Sequence, residues 1–271
     1  MSDLIAVQGV VLSSMPVGEY DRRVVLLTKE RGKIAAFAKG ARRPNSPFMA
    51  AANPFVFGTF TLFEGRSSYT LNHVEIGYHF ADLAAMQPAV YYGYYFLELA
   101  DYFGREGIDE TETMNLLFMT VKALQNESID NRLVRCIYEL RLLTIQGLMP
   151  RLYECTSCGK EVPGETGAWF SFAGHGVMDE ACARLEPEAR RLSPQTLYTM
   201  KYIVSMPLNK IYTFTIKKDY LTELEYVVYN YTRRNTDKRF KSLEILDIMC
   251  REREDSQPAE QNRHPAGPDK L

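Results

Sequence analysis

Residues 20–44 read Tyr20-Asp21-Arg22-Arg23-Val24-Val25-Leu26-Leu27-Thr28-Lys29-Glu30-Arg31-Gly32-Lys33-Ile34-Ala35-Ala36-Phe37-Ala38-Lys39-Gly40-Ala41-Arg42-Arg43-Pro44. Two runs rich in β-formers, Arg22–Thr28 and Lys33–Ala38, flank the polar loop Lys29-Glu30-Arg31-Gly32, so the stretch reads as a hairpin. The pattern continues on both sides. Leu4–Leu12 comes before it, and Phe55–Phe63 and Tyr69–Ile76 come after it, separated by the turn signal Glu64-Gly65-Arg66-Ser67. Both faces of Phe55–Phe63 are largely apolar or aromatic. Five short strands within the first 80 residues suit a small closed barrel.

From Pro88 the period becomes helical. Tyr92, Phe96, Leu99 and Phe103 share a face and Gly104 stops the helix. Asp109 and Glu112 read as a capping box ahead of Met114, Leu117, Phe118, Val121 and Leu124. Leu133, Ile137, Leu140 and Thr144 define a third helix, ended by Gly147 and Pro150. Residues 151–185 are rich in Gly and Cys and poorly periodic, so they read as an irregular insert. Helices resume after Ser193-Pro194 and again after Asp219. From Arg251 the chain is polar, with Pro258, Pro265 and Pro268, and a disordered tail over 251–271 is expected. The organisation is therefore α+β: a barrel over 1–80, a helical domain over 81–150 and 186–250, and an insert over 151–185.

At 271 residues and 46% apolar content the chain is long enough to bury a real core. No stretch reaches the roughly 18 uninterrupted apolar residues of a membrane span. Met1-Ser2-Asp3-Leu4 lacks a basic flank leading into an apolar run. No membrane association and a cytoplasmic location are expected. The net charge of −2 hides segregation. Lys and Arg outnumber Asp and Glu 9 to 6 over residues 1–80 and 11 to 6 over 190–250, but are outnumbered 17 to 8 over 81–189. A polyanion is thus suited to the two ends and not to the middle.

Three constellations carry chemistry. The first is the loop Lys39-Gly40-Ala41-Arg42-Arg43-Pro44, which puts three cations at the barrel edge where phosphates approach, with Arg22, Arg23, Lys33 and Arg66 extending the surface. The bland alternative is solubilising charge. Phe37, Phe60 and Tyr69 are candidates to stack on bases, against the commoner role of aromatics in a core. The second is Cys155-Thr156-Ser157-Cys158-Gly159, followed by His175, Asp179 and Cys182. A CxxC with glycine after its second cysteine suits a zinc knuckle better than a redox site, and five cysteines are too few for a disulfide scaffold. A metal-free loop held by Trp169, Phe170 and Phe172 is the alternative. The third is a basic run with Arg233, Arg234, Lys238, Arg239 and Lys241, either a solvated loop or a second contact. Cys136 and Cys250 read as buried filler, and no phosphate loop, dinucleotide turn, HExxH or GxSxG motif is present, so an enzyme is not expected.

The order of these features resembles the RecO family of recombination mediators over residues 3 to about 250. The match is carried by Gly9-Val10-Val11-Leu12, Tyr20–Thr28, Gly32-Lys33, Lys39–Pro44, Leu148-Met149-Pro150, the Cys155-to-Cys182 insert and Arg239-Phe240-Lys241-Ser242-Leu243. The resemblance implies an N-terminal OB-fold, a helical body and a zinc-ribbon-like insert with one structural zinc. It further implies binding of single- and double-stranded DNA, strand annealing, and cooperation with RecR to load RecA onto DNA coated by single-strand-binding protein, in the cytoplasm on the nucleoid. It places the acidic tail of single-strand-binding protein on the helical body, for which Arg132 and Arg135 are candidates. The sequence departs from the family at Asp179, where members with a full zinc site carry a second CxxC. Asp179 is the favoured fourth ligand beside Cys155, Cys158 and Cys182, with His175 as the alternative.

Two other functions compete. A zinc-dependent hydrolase or deaminase would need an open metal position beside an acid or base, for which Glu180 is the near candidate. A zinc-ribbon transcription factor would prefer one duplex sequence over random single strands.

Overall fold

The computed structural model describes residues 3–66 and 68–256. Five strands form a closed barrel: β1 (Asp3–Val17), β2 (Asp21–Thr28), β3 (Gly32–Ala38), β4 (Val56–Glu64) and β5 (Tyr69–His79), in the order β1-β2-β3-β5-β4. All pairs are antiparallel except β3 with β5. β1 closes the ring because it is long enough to pair on both edges, with β4 through its first half and with β2 through its second. It runs to Val17, beyond the expected Leu12, because a bulge between Val11 and Ser13 bends it around the barrel. The polar stretch Ser13-Ser14 and Pro16 hides that extension from a pattern of apolar alternation. The short helix α1 (Phe48–Ala51) lies between β3 and β4. This is the OB-type architecture that the family resemblance implies.

Period-two alternation gives the barrel two different faces. Val7, Val11, Val24, Leu26, Ile34, Ala36, Phe60, Leu62 and Leu71 fill the bore. Val10, Leu12, Leu27 and Phe57 point the other way and merge with the core of the helical body. Gly32 fixes this junction. It has φ +65, and a Cβ there would meet the carbonyl oxygen of Arg105 at 2.0 Å. Lys33 N–H donates to that same carbonyl at 2.9 Å.

The helical body begins with α2 (Ala89–Phe103), α3 (Thr111–Leu124) and α4 (Asn131–Ile145). The insert follows as β6 (Ala168–Ser171), β7 (Gly176–Met178), the single turn α5 (Glu180–Ala183) and β8 (Arg190–Leu192). These strands form a small sheet in the order β7-β6-β8, so the segment expected to be irregular carries a sheet, and that sheet reaches past residue 185. The body resumes with α6 (Pro194–Ser205), α7 (Lys218–Arg234) and α8 (Lys241–Ser256). Ser193 caps α6 as the sequence indicates, its Oγ accepting from Thr196 N–H at 3.2 Å. The expected Asp109–Glu112 box does not form. Asp109 instead accepts from Thr111 N–H at 2.8 Å, one position too early for a reciprocal bond with Glu112. α8 continues through Ser256, six residues into the stretch expected to be a tail, and the rest of that stretch lies outside the described residues.

A buried polar cluster crosses the body. Glu139, 1% exposed, accepts from Arg135 at 2.8 Å, from the Tyr95 hydroxyl at 2.8 Å and from Thr232 at 3.2 Å. Such a charge is tolerated inside because both carboxylate oxygens have donors and one of them is the Arg135 guanidinium.

Candidate nucleic-acid interface and metal centre

The loop after β3 is built to expose its cations. Asp21 at the start of β2 accepts the Gly40 N–H at 2.7 Å, and Arg42 N–H donates to the Tyr20 carbonyl at 2.8 Å. Ala41 is buried against the barrel core, anchoring the loop while Lys39, Arg42 and Arg43 stay exposed. The Arg43 guanidinium lies 5.0 Å from the centroid of Tyr20. Arg42 reaches the Gly18 carbonyl at 3.4 Å. Nothing in the sequence marks Tyr20 and Asp21 as site residues, because each positions the loop and neither adds a cation to it.

The remaining barrel cations divide by parity. Arg23 faces outward, in register with Phe37, and Arg66 is exposed in the loop between β4 and β5. Arg22 has the inward parity of Val24 and Leu26. It sits at the barrel mouth, donating to Asn53 Oδ1 at 2.9 Å and Ser14 Oγ at 3.3 Å. Lys33 is also withdrawn from the open face, because its Nζ contacts the Asp101 carbonyl and lies 3.5 Å from the Asp101 carboxylate at the end of α2. Of the aromatic candidates, Phe60 fills the bore, and Tyr69 packs against the bore core with its hydroxyl donating to Glu64 at 3.4 Å. Phe37 remains on the outer face, part of neither core.

The basic run near the C-terminus is largely engaged with the protein. Lys238 pairs with Glu98 at 3.0 Å and Arg234 with Glu188 at 3.2 Å, while Arg239 contacts Glu244. Arg233 lies over Tyr229, and Lys241, exposed, opens α8. Arg132 makes two bonds to Glu225 Oε2, at 2.6 and 2.9 Å, which hold its charge firmly. Arg135 lies between the rings of Tyr95 and Tyr229, where burial works against its charge and the Glu139 carboxylate more than restores it. Both line a cavity of about 390 Å³ together with Pro88, Tyr92, Glu225 and Asp247.

In the insert the three sulfurs of Cys155, Cys158 and Cys182 and a carboxylate oxygen of Asp179 all lie within 4.8 Å of one another. The knuckle is local: Cys155 N–H donates to the Lys160 carbonyl at 2.7 Å, Gly159 N–H to the Cys155 carbonyl at 2.9 Å, and Gly159 makes the turn at φ +75. Asp179 caps α5, its Oδ1 accepting from Cys182 N–H at 2.9 Å, while Oδ2 faces Cys158 Sγ at 3.0 Å. That contact holds the Asp179 carboxyl down at about 2 and pushes the Cys158 thiol up to about 12. The donor set fits zinc, which takes thiolates and carboxylate in a tetrahedron of about 2.0–2.3 Å bonds. His175 is outside the cluster. It turns at φ 57 between β6 and β7, its ring 5.9 Å from that of Tyr231.

Among the described residues no helix is long and apolar enough to cross a membrane. Two family models match the chain, Recombination protein O N terminal over residues 1–80 and Recombination protein O C terminal over residues 88–244. The chain is 34% identical over 248 residues to the DNA repair protein RecO of Symbiobacterium thermophilum, covering 91% of this chain and 98% of that one. It is 32% identical over 244 residues to the protein of the same name in Alkaliphilus metalliredigens, covering 89% and 98%. With that of Bacillus subtilis the identity is 27% over 243 residues, covering 89% and 93%.

Proposed function

Because the chain belongs to the RecO family of DNA repair proteins, we propose that it binds single- and double-stranded DNA without reading sequence, anneals complementary strands, and acts with RecR to load RecA onto DNA coated by single-strand-binding protein. The exposed cationic loop Lys39–Arg43, pinned to the barrel by Asp21 and Tyr20, carries this reading. Fixed cations at the edge of an OB barrel suit phosphates of any sequence. Arg23 and Arg66 belong to the same surface. Arg22 and Lys33 support it from within. Arg233, Arg239 and Lys241 offer a second, weaker contact on the helical body. The acidic tail of single-strand-binding protein suits the cavity beside Arg132, where its carboxylates compete with Glu225. The protein acts in the cytoplasm on the nucleoid.

The function is not enzymatic. Cys155, Cys158, Cys182 and Asp179 supply four donors, the number a closed structural zinc site takes, so no position is left for substrate. Glu180, next to Asp179 in the chain, pairs with Arg184 at 2.9 Å. Zinc there would supply a cross-link between the knuckle and the start of α5. Annealing of two complementary strands is the test. Product should accumulate in the absence of ATP, and an absolute requirement for ATP would contradict the reading.

A further inference from the structure

The strand register places one outward row around the closed barrel, beginning and ending on β1, and its stretch Phe63, Thr70, Phe37 crosses the adjacent strands β4, β5 and β3. Leu4 pairs with Phe63, Phe63 with Thr70, Thr70 with Phe37, Phe37 with Arg23, and Arg23 with Met15. None of these side chains belongs to the bore core or to the core of the helical body. Leu4 is 56% exposed, Met15 55% and Phe63 40%, and Phe37 and Thr70 are partly exposed. Large apolar groups in a row on an outer sheet face are unusual unless something covers them.

Charge decides what covers them. The Phe37, Thr70, Phe63 part of the row has cations in the loops beside both rings: Lys39 follows Phe37 by two residues, Arg42 and Arg43 lie in the same loop, and Arg66 follows Phe63 by three. Arg23 is itself a member of the row. From Arg23 on β2 to Phe63 on β4 is three strand spacings, about 14 Å. We infer that Phe37 and Phe63, on either side of Thr70, are the base-stacking platform of a single-strand path that enters at Lys39, Arg42 and Arg43 and leaves at Arg66. The inference rests on the DNA-binding reading above and deepens it, because it makes the barrel face selective for single strands. A phosphate contact is open to strand and duplex alike, but an aromatic face stacks only on a base whose own face is free. The short Thr70 between the rings leaves room for a base edge.

Binding of an unstructured oligothymidine and of a duplex of equal length by the full chain tests this with Phe37→Leu, Phe63→Leu, the double variant and Phe63→Tyr. Leucine keeps the row apolar and removes the π-face. Tyrosine restores that face and shows that the position tolerates change. The leucine variants should lose about 5- to 100-fold in single-strand affinity per ring, with duplex affinity and the salt slope unchanged and Phe63→Tyr close to wild type. A double variant that binds the strand as tightly as wild type, or that loses strand and duplex equally, overturns the platform. The DNA-binding reading fails differently, through a wild-type protein that binds neither strand nor duplex, and that result overturns both.

Discussion

Asp179 Oδ2 lies 3.0 Å from Cys158 Sγ while Oδ1 of the same carboxylate caps the helix that carries Cys182. One side chain thus joins the knuckle to the opposite half of the cluster. A carboxylate is a harder ligand than a thiolate, so a Cys₃Asp site should hold zinc less tightly than a Cys₄ site.

Asp179→Cys should therefore raise zinc affinity. Asp179→Ala should lower it by more than the roughly 10- to 100-fold that loss of an outer-shell partner costs. Competition with a chromophoric chelator reads both. Equal affinity for Asp179→Ala and wild type would remove Asp179 from the ligand set, and weakened binding in His175→Ala would point to His175 instead.

Removal of the metal should loosen the insert before it affects DNA binding. The sheet β7-β6-β8 rests on Phe170 and Phe172, both buried, and not on the knuckle alone. Amide exchange on chelated protein should rise over residues 151–185 and stay unchanged in the barrel strands.

Glu98 should give a pH-dependent contribution to stability. Burial opposes its charge, but Ser242, donating through N–H at 2.9 Å and Oγ at 2.5 Å, and Lys238 outweigh it, so the carboxyl stays below its ordinary value of 4.5. A carboxyl depressed in the folded state binds its proton more readily when unfolded. Its contribution is therefore present above pH 4.5 and lost as pH falls through the folded value. Glu98→Gln should cost about 1–2 kcal/mol near neutrality, with the gap from wild type closing in acid. A gap that stays constant to low pH would contradict the assignment.

Glu139→Gln should cost more, about 3–5 kcal/mol, because Arg135 would remain buried without a counter-charge. Urea unfolding measures it. A loss under 1 kcal/mol would mean that water reaches the Arg135 guanidinium.

Much of this was legible in the sequence where one chemical pattern had one structural outcome. Alternation in Arg22–Ala38 gave the hairpin, Ser193-Pro194 gave the start of α6, and CxxCG gave the knuckle. Patterns with two outcomes were not legible. Arg22 and Arg23 are chemically identical neighbours, and only strand parity sends one to the barrel mouth and the other to the open face. Phe60 and Phe63 differ for the same reason: parity buries the first ring in the bore and exposes the second, and composition alone does not tell them apart. Arg132 and Arg135 carry the charge of a docking site, but Glu225, the partner of Arg132, comes from a distant helix that no local reading connects, whereas Glu139 is the i+4 neighbour of Arg135 and was legible. The three short insert strands lack a periodic run long enough to register.

The central claim is that the barrel holds DNA through phosphate contacts from the loop after β3. The most direct measurement is single-strand affinity against salt for wild type and for Lys39→Ala, Arg42→Ala, Arg43→Ala combined. Each lost phosphate contact removes about 0.7 from the slope of log affinity against log salt, so the variant's slope should be shallower by about 2. An unchanged slope in a variant that unfolds at the wild-type midpoint would contradict the account.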